Sequence, residues 1–193
     1  YKSRHDETWL NKLKYKYPNS YFIPEGGSNK LALEGVEEMA KELKISYDYI
    51  IVACGTGGTI SGILQANKNS PSQIIGIPVL KQGDFIRDEI TTLTGEAFNN
   101  LKLELNYHFG GYAKVNAELI AFKDYFESNF HIELDPVYTS KMFYATFDLI
   151  KQGNFKEGSK ILCIHTGGLQ GNKGMKKRMN RLRNSKEYSP YSI

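Results

Sequence analysis

The chain has 193 residues, which is enough for one good-sized domain with its own core. An apolar content of 40%, with 13 tyrosines and 10 phenylalanines, excludes a disordered chain, and no apolar run is long enough to span a bilayer. The two cysteines, Cys54 and Cys163, stand in apolar segments and make no disulfide framework, which favours a reducing cytoplasm.

The net charge of +4 is concentrated near the C-terminal end. Seven basic residues and one acidic residue follow Gly171, so the rest of the chain is close to neutral. Aromatic residues are not interleaved with this basic run, although nucleic-acid binding segments often have them. We therefore predict a solvated basic helix or tail over residues 171–193, and nucleic-acid binding by it is the less favoured alternative.

Apolar periodicity predicts helices and strands that alternate along the chain. The predicted helices cover residues 8–17, 31–43, a segment opening with 60–64, 85–93, 115–129 and 138–151. The predicted strands cover residues 21–23, 49–53, 73–80, 101–108 and 160–165. Apolar strands separated by helices indicate an α/β fold with three layers, in which a doubly wound, mostly parallel sheet is covered on both faces.

Glycine-rich segments follow three of these strands, after Ala53, after His165 and around Gly110. The carboxyl ends of parallel strands lie on one rim of a sheet, and ligands bind beyond that rim. We therefore expect the three segments to converge on one pocket.

The most informative of these segments is the loop Cys-Gly-Thr-Gly-Gly-Thr over residues 54–59, which joins a strand to a helix. Unpaired N–H groups and the helix dipole make such a helix N-terminus a binding site for an anion. The alternative is an ordinary glycine-rich turn that binds nothing.

The residues that follow Gly58 restrict the kind of anion. A nucleotide-binding P-loop requires Gly-Lys-Ser/Thr, but Thr59 and Ile60 follow here. A dinucleotide-binding loop requires glycine where Ile60 stands. The remaining cradle of threonine hydroxyls and glycine N–H groups suits one dianionic monophosphate, such as that of pyridoxal phosphate.

Five motifs together resemble those of a known family. In chain order they are Ile-Pro-Glu-Gly-Gly-Ser-Asn (23–29), the loop 54–59, His-Phe-Gly-Gly-Tyr (108–112), Asp-Pro-Val-Tyr-Thr-Ser-Lys (135–141) and His-Thr-Gly-Gly-Leu-Gln-Gly (165–171). The chain resembles the D-cysteine desulfhydrase and 1-aminocyclopropane-1-carboxylate deaminase family over residues 21–171. These are pyridoxal-phosphate enzymes of fold type II, similar to the tryptophan synthase β-subunit.

The resemblance implies the following roles for individual residues. It assigns the cofactor phosphate to Cys54, Gly55, Thr56, Gly57, Gly58 and Thr59. Tyr112 and Tyr138 are the implied catalytic residues, which face the substrate and the cofactor ring. Thr139 and Thr166 are implied to bind the cofactor near its pyridine nitrogen. We expect His165 to be satisfied by backbone groups and Lys141 to be solvated or paired.

The resemblance also bears on the choice between the two activities. The deaminases carry glutamate where Thr139 stands and leucine where Thr166 stands, whereas the desulfhydrases carry threonine at both. A neutral hydroxyl stabilises the protonated pyridine nitrogen less than a carboxylate does, so the ring is a weaker electron sink. Such a ring is still adequate for eliminating a thiolate. We expect D-cysteine desulfhydration, with 1-aminocyclopropane-1-carboxylate deamination and non-catalytic phosphate binding as the alternatives.

The family's Schiff-base lysine lies in an upstream Gly-Asn-Lys segment that this sequence lacks, and Lys30 does not align with it. We expect residues 1–20 to be the end of a small domain, residues 21–170 the cofactor-binding domain, and the chain alone to be inactive. The resemblance implies a small amino-acid substrate and, for the full-length enzyme, a homodimer; neither a nucleic acid nor a membrane is expected as a partner.

Overall fold

A computed structural model describes residues 6–192 of the chain. Its helices are α1 (Glu7–Lys16), α2 (Lys30–Lys41), α3 (Gly58–Ala66), α4 (Ile86–Thr94), α5 (Ala117–Phe130), α6 (Thr139–Lys151) and α7 (Asn172–Arg183). Its strands are β1 (Tyr49–Cys54), β2 (Gln73–Pro78), β3 (Leu101–Leu103) and β4 (Ile161–Ile164). Short 3-10 helices cover Glu25–Gly27, Gly83–Phe85 and Leu169–Gly171.

The four strands form one parallel sheet in the order β3-β2-β1-β4. The central strand β1 pairs with β2 on one side and with β4 on the other, so that Ile50 lies beside both Ile74 and Leu162. The strand order therefore reverses direction between β1 and β4. In open α/β sheets this point of reversal is where ligands bind.

Both faces of the sheet are covered by helices, because alternate residues of β1 point to opposite faces. Val52 and its neighbours on one face pack against Ile60 and Ile63 of α3. Ile51 on the other face is fully buried against Met142 and Ala145 of α6. The predicted three-layer fold with a parallel sheet is confirmed.

Two of the predicted strands are wrong: one is too long, and the other does not form. The strand predicted over residues 101–108 ends at Leu103, because the next ladder bond would have to come from the N–H of residue 78, which is proline. The strand predicted over residues 21–23 does not form. Tyr21 is 67% exposed and Ile23 is 75% exposed, so this apolar triplet has no sheet to join.

A helix lies near each end of the described chain. In α1 no residue is buried, and Trp9 remains 45% exposed. In α7 the buried Met179 packs against Leu119 and Ile120 of α5, while Arg183 pairs with Asp124. Within residues 6–192, every helix is too short or too polar to cross a bilayer. Residues 1–5, part of the predicted small-domain remnant, lie outside the described residues.

Candidate active site

A cleft of about 300 Å³ lies at the carboxyl ends of β1 and β4, where the strand order reverses. One wall is the glycine loop 54–59, and the opposite wall is formed by Thr166, Gly167 and Gly168 after β4. Tyr138, at the beginning of α6, also lines the cleft. The sequence therefore placed two of its three glycine segments correctly around one pocket.

The floor of the cleft is the N-terminus of α3. Gly57 precedes this helix with φ of +87°, a left-handed conformation that glycine adopts without strain, and no side chain caps the helix. The first N–H groups of an α-helix have no acceptor inside the helix. Those of α3 border the cleft beside the hydroxyl-bearing Thr56 and Thr59, so this end of the cleft can donate several hydrogen bonds to an anion.

The segment over residues 24–29 closes against the glycine loop. The hydroxyl oxygens of Ser28 and Thr56 lie 2.7 Å apart and share a hydrogen bond. A Cβ atom on Gly26 would lie 2.2 Å from Oγ1 of Thr56, and one on Gly58 would lie 2.6 Å from Oγ of Ser28. A Cβ atom at either position would therefore force the facing hydroxyl side chain to move, which glycine avoids.

Tyr138 approaches the glycine loop from the other side. A Cβ atom on Gly55 would lie 3.3 Å from the hydroxyl oxygen of Tyr138, so the ring packs directly over the bare backbone. Burial, together with the neighbouring phenol of Tyr112 and nearby negative charge, raises the pKa of the Tyr138 phenol. This side chain is neutral at physiological pH and can donate a hydrogen bond into the cleft.

Tyr112 lies at the mouth of this arrangement. Its ring is 56% exposed and meets the ring of Tyr138 edge-on, with centroids 6.1 Å apart. It reaches the cleft only through Tyr138, because it is not among the residues that line the cavity. The structure thus places the two tyrosines in contact, but only Tyr138 lines the cleft.

The two threonines that the resemblance grouped together lie in different surroundings. Thr166 is exposed and lines the cleft. Thr139 is fully buried, and its hydroxyl donates to a carboxylate oxygen of Asp135 at 2.8 Å. In this conformation the hydroxyl of Thr166 borders the cavity, and that of Thr139 stabilises the beginning of α6.

Asp135 organises that helix N-terminus and was not singled out by the sequence. It is 2% exposed, and its carboxylate accepts hydrogen bonds at 2.8 Å from the backbone N–H groups of Val137, Tyr138 and Thr139. A Cβ atom on Gly168 would lie 3.3 Å from the Asp135 carboxyl carbon. Asp135 therefore fixes Tyr138 relative to the turn after β4. The pattern Asp-x-x-x-Thr before an apolar helix is a capping signal that could have identified it.

Lys141 is the clearest departure from the sequence-based interpretation. It was expected to be solvated or paired, but its side chain is fully buried, and its ammonium donates to backbone carbonyl groups rather than to an acid. Burial lowers its pKa to about 8, while the charge of Asp135 acts in the opposite direction. A lysine in an amphipathic helix is normally exposed, so its position carried no signal of this role.

Two further residues near the site have structural environments. His165 accepts a hydrogen bond from the N–H of Gly167 at 3.1 Å through Nδ1, and its Nε2 lies 2.9 Å from the carbonyl oxygen of Glu133. These backbone partners agree with the expectation for His165. Burial raises the pKa of Cys54 to about 12, so its thiol is not a nucleophile at neutral pH.

The residues of the cleft fit the phosphate of pyridoxal phosphate. The helix N-terminus, the bare glycine backbone and the hydroxyls of Thr56 and Thr59 supply donors at one end. Among the described residues that line the cleft, none is acidic, so no carboxylate repels the phosphate there. The hydroxyls of Tyr138 and Thr166 border the remaining space.

Comparison with known proteins gives a consistent result. The sequence pattern of the pyridoxal-phosphate dependent enzymes matches residues 2–167. A protein of Pyrococcus horikoshii, provisionally named a 1-aminocyclopropane-1-carboxylate deaminase, is 34% identical over 181 residues, which cover 87% of this chain and 55% of that protein. The mitochondrial bifunctional D-cysteine desulfhydrase/1-aminocyclopropane-1-carboxylate deaminase of Arabidopsis thaliana is 35% identical over 195 residues, covering 89% of this chain and 48% of that protein.

The fold has a close counterpart among solved structures. The crystal structure of an ACC deaminase homologue superposes with a TM-score of 0.73 at 31% identity, covering 93% of this chain and 58% of that one. The chain spans about half the length of the curated relatives it matches. The matched pattern, the parallel sheet and the cleft at the point of strand reversal lead to one conclusion: the chain belongs to the family of pyridoxal-phosphate dependent enzymes.

Proposed function

We propose that this chain is the cofactor-binding part of a lyase that eliminates hydrogen sulfide from D-cysteine. The reaction removes the Cα proton and breaks the Cβ–S bond, and addition of water to the remaining carbon skeleton gives pyruvate and ammonia. The observation that carries the proposal is the cleft between the glycine loop and the turn after β4, which opens onto the N-terminus of α3.

The chain's own residues would hold the phosphate end of the cofactor. The N–H groups at the beginning of α3 and the hydroxyl of Thr59 would donate to the phosphate oxygens, and hydrogen bonds to a charged group are the stronger kind. Bound there, pyridoxal phosphate supplies an electron sink for the carbanion that forms when the substrate loses its Cα proton.

Tyr138 and Tyr112 would act on the substrate side. Because the raised pKa keeps the Tyr138 phenol protonated, it can donate a hydrogen bond to the departing sulfur, which leaves as a thiolate. Tyr112, half exposed at the mouth, would contact the substrate as it enters and would orient the Tyr138 ring through their edge-on packing.

The choice of desulfhydration rests on Thr166 more than on Thr139. Thr166 borders the cleft, where it would place a neutral hydroxyl near the pyridine nitrogen. Leaving that nitrogen without a strong acid partner suits a good leaving group such as a thiolate and is less suited to opening a cyclopropane ring. Deamination of 1-aminocyclopropane-1-carboxylate is the second candidate, because the names of both sequence relatives include it.

We also propose that the 193-residue chain is inactive by itself. The chemistry needs a lysine amine beside the cofactor, but no lysine lines the cleft in the described part of the chain. Lys30 is exposed at the beginning of α2, and Lys141 is engaged with backbone carbonyls. In the complete protein we expect a homodimer, which sedimentation of the purified protein would check, and a cytoplasmic location, which cell fractionation would check.

The test is a coupled assay of pyruvate and sulfide with D-cysteine and added pyridoxal phosphate. The complete protein should release both products in equal amounts, and should form 2-oxobutyrate from 1-aminocyclopropane-1-carboxylate at least ~10-fold more slowly, a difference of about 1.4 kcal/mol in the barrier. The isolated chain should form neither product. Turnover by the isolated chain, or cofactor attached to Lys30 or Lys141 after borohydride reduction, would contradict the proposed absence of the lysine. Cofactor binding without activity in the complete protein would favour the non-catalytic alternative.

A further inference from the structure

The ammonium group of Lys141 joins three separate segments of the chain. It donates to the carbonyl oxygen of Val79 at 3.3 Å, of His108 at 2.8 Å and of Gly111 at 2.9 Å. Val79 directly follows β2, whereas His108 and Gly111 belong to the loop that carries Tyr112. An ammonium has three protons, so each one has an acceptor.

The loop over residues 108–114 needs such a support. Phe109 and Ala113 both have φ of +52°, although neither is glycine, and such residues cost free energy that surrounding contacts must offset. The carbonyls of His108 and Gly111 also close two successive turns by accepting from the N–H groups of Gly111 and Lys114. Lys141 therefore binds the carbonyl at the beginning of each turn.

Lys141 serves as a cation here and not as half of an ion pair. Asp135, the described acid whose charge acts on it, uses its carboxylate for the N–H groups at the beginning of α6 and for the hydroxyl of Thr139. Asp135 and Lys141 nevertheless act on the same pair of tyrosines. Asp135 fixes Tyr138, and Lys141, one turn further along α6, fixes the loop of Tyr112.

We propose that Lys141 is a positioning residue: its ammonium is a built-in cation that holds the loop 108–114 in its strained conformation and so sets Tyr112 against Tyr138. The catalytic meaning of this pair rests on the proposed function, whereas the structural effect does not. Two other contacts hold the loop: Phe109 packs edge-on against Tyr144 with centroids 4.9 Å apart, and the guanidinium of Arg178 donates to the carbonyl oxygen of Ala113 at 3.3 Å. Lys141 differs from both because its ammonium binds the carbonyls that begin the two turns.

The test removes the ammonium and then supplies one from solution. In Lys141→Ala, the amides of residues 108–114 should exchange with deuterium at least ~10-fold faster than in the parent chain, because local opening is easier. Added ammonium chloride should restore much of the protection by occupying the carbonyl site, whereas tetramethylammonium, which has no N–H donor, should not. A lysine that is only structural filler would show no such selectivity.

Lys123→Ala is the matched control. Lys123 is also buried, at 4% exposure, but it pairs with Glu127 on α5. This variant should lose stability without selective exchange in residues 108–114 and without rescue by ammonium. Loss of protection in Lys141→Ala that ammonium does not restore would overturn the proposal.

Should Lys141→Ala not fold, the parent chain allows a second measurement. Nitrogen-15 NMR of the lysine side chains should show a slowly exchanging ammonium that is absent in Lys141→Arg, whereas any signal from the buried Lys123 should remain in that variant. If no protected ammonium is found at neutral pH, the proposal is overturned. None of these measurements uses the cofactor or a substrate. The proposed role of Lys141 can therefore be refuted while the lyase activity is confirmed, and the lyase activity can be refuted while the role of Lys141 is confirmed.

Discussion

The glycine loop 54–59 and the loop 108–114 both approach Tyr138, but they are held in place by different parts of the chain. The glycine loop is shaped locally, by its own glycines and by the helix that it begins. The loop 108–114 is shaped from a distance, by the ammonium of Lys141 on α6. One loop leaves its N–H groups open to a ligand, whereas the other has its carbonyl groups satisfied inside the protein. This difference supports the proposals that the first loop binds a phosphate and that the second positions Tyr112.

Replacing Lys141 by methionine should have the largest effect on this contrast. The change keeps the length of the side chain but leaves three carbonyl oxygens without the ammonium, and we expect a loss of about 2–4 kcal/mol in the free energy of unfolding. Urea denaturation monitored by circular dichroism would measure it. A loss of less than about 0.5 kcal/mol, the range of ordinary surface substitutions, would mean that the loop does not depend on Lys141.

Replacing Thr59 by valine should weaken ligand binding but leave stability almost unchanged. The shape is retained, but one hydroxyl donor to the phosphate is lost, so affinity for pyridoxine 5′-phosphate should fall by ~10-fold while stability changes little. Isothermal titration calorimetry would measure the affinity. Thr91→Val on the exposed face of α4 is the control and should change neither quantity. Equal affinities of the Thr59→Val and parent chains would remove Thr59 from the phosphate site.

The adjacent glycines at 26 and 27 test the packing between segment 24–29 and the glycine loop. Both have positive φ, +67° and +68°, but only a Cβ atom on Gly26 would collide with Thr56. Gly26→Ala should therefore lower the free energy of unfolding by about 1–2 kcal/mol more than Gly27→Ala. Both variants suffer backbone strain, but only the first also has a side-chain overlap. Thermal denaturation of the two variants would measure this difference. Equal losses would show that the segment does not press on the loop.

The last prediction concerns the protection of Cys54 and needs no substitution. Because burial raises its pKa to about 12, the thiol stays protonated at pH 8, and iodoacetamide should label it far more slowly than it labels a free cysteine peptide. Labelling should increase only above the raised pKa or on unfolding. Rapid alkylation of Cys54 in the folded chain at pH 8 would mean that the loop opens readily, which the locally built structure does not predict.

The contrast between the two loops also explains what the sequence could and could not predict. The glycine loop was predictable because strand, glycines and helix are consecutive in the chain. The role of Lys141 was not, because its acceptors are 62, 33 and 30 residues away in the sequence. The same distinction applies to the strands. Those in the middle of the sheet were predicted closely, whereas the edge strand β3 was predicted too long because its end depends on Pro78 of its neighbour.

Thr139 illustrates a further limit of motif-based assignment. Its place in the tyrosine motif suggested a position at the cofactor ring, but a threonine four residues after a buried aspartate can equally cap a helix. In the structure its hydroxyl donates to Asp135, whereas the neighbouring Tyr138 lines the cleft, so the motif alone does not fix the direction of each side chain.

The central claim is that the glycine loop binds the phosphate of pyridoxal phosphate. The most direct test is NMR titration of the backbone amides with pyridoxine 5′-phosphate and, separately, with pyridoxine, since neither has an aldehyde that would react with surface lysines. Saturable shifts of the amides of residues 55–60 with the phosphorylated compound, and none with pyridoxine, are the predicted result. Equal shifts with both compounds, or shifts confined to the basic residues of α7, would contradict the claim.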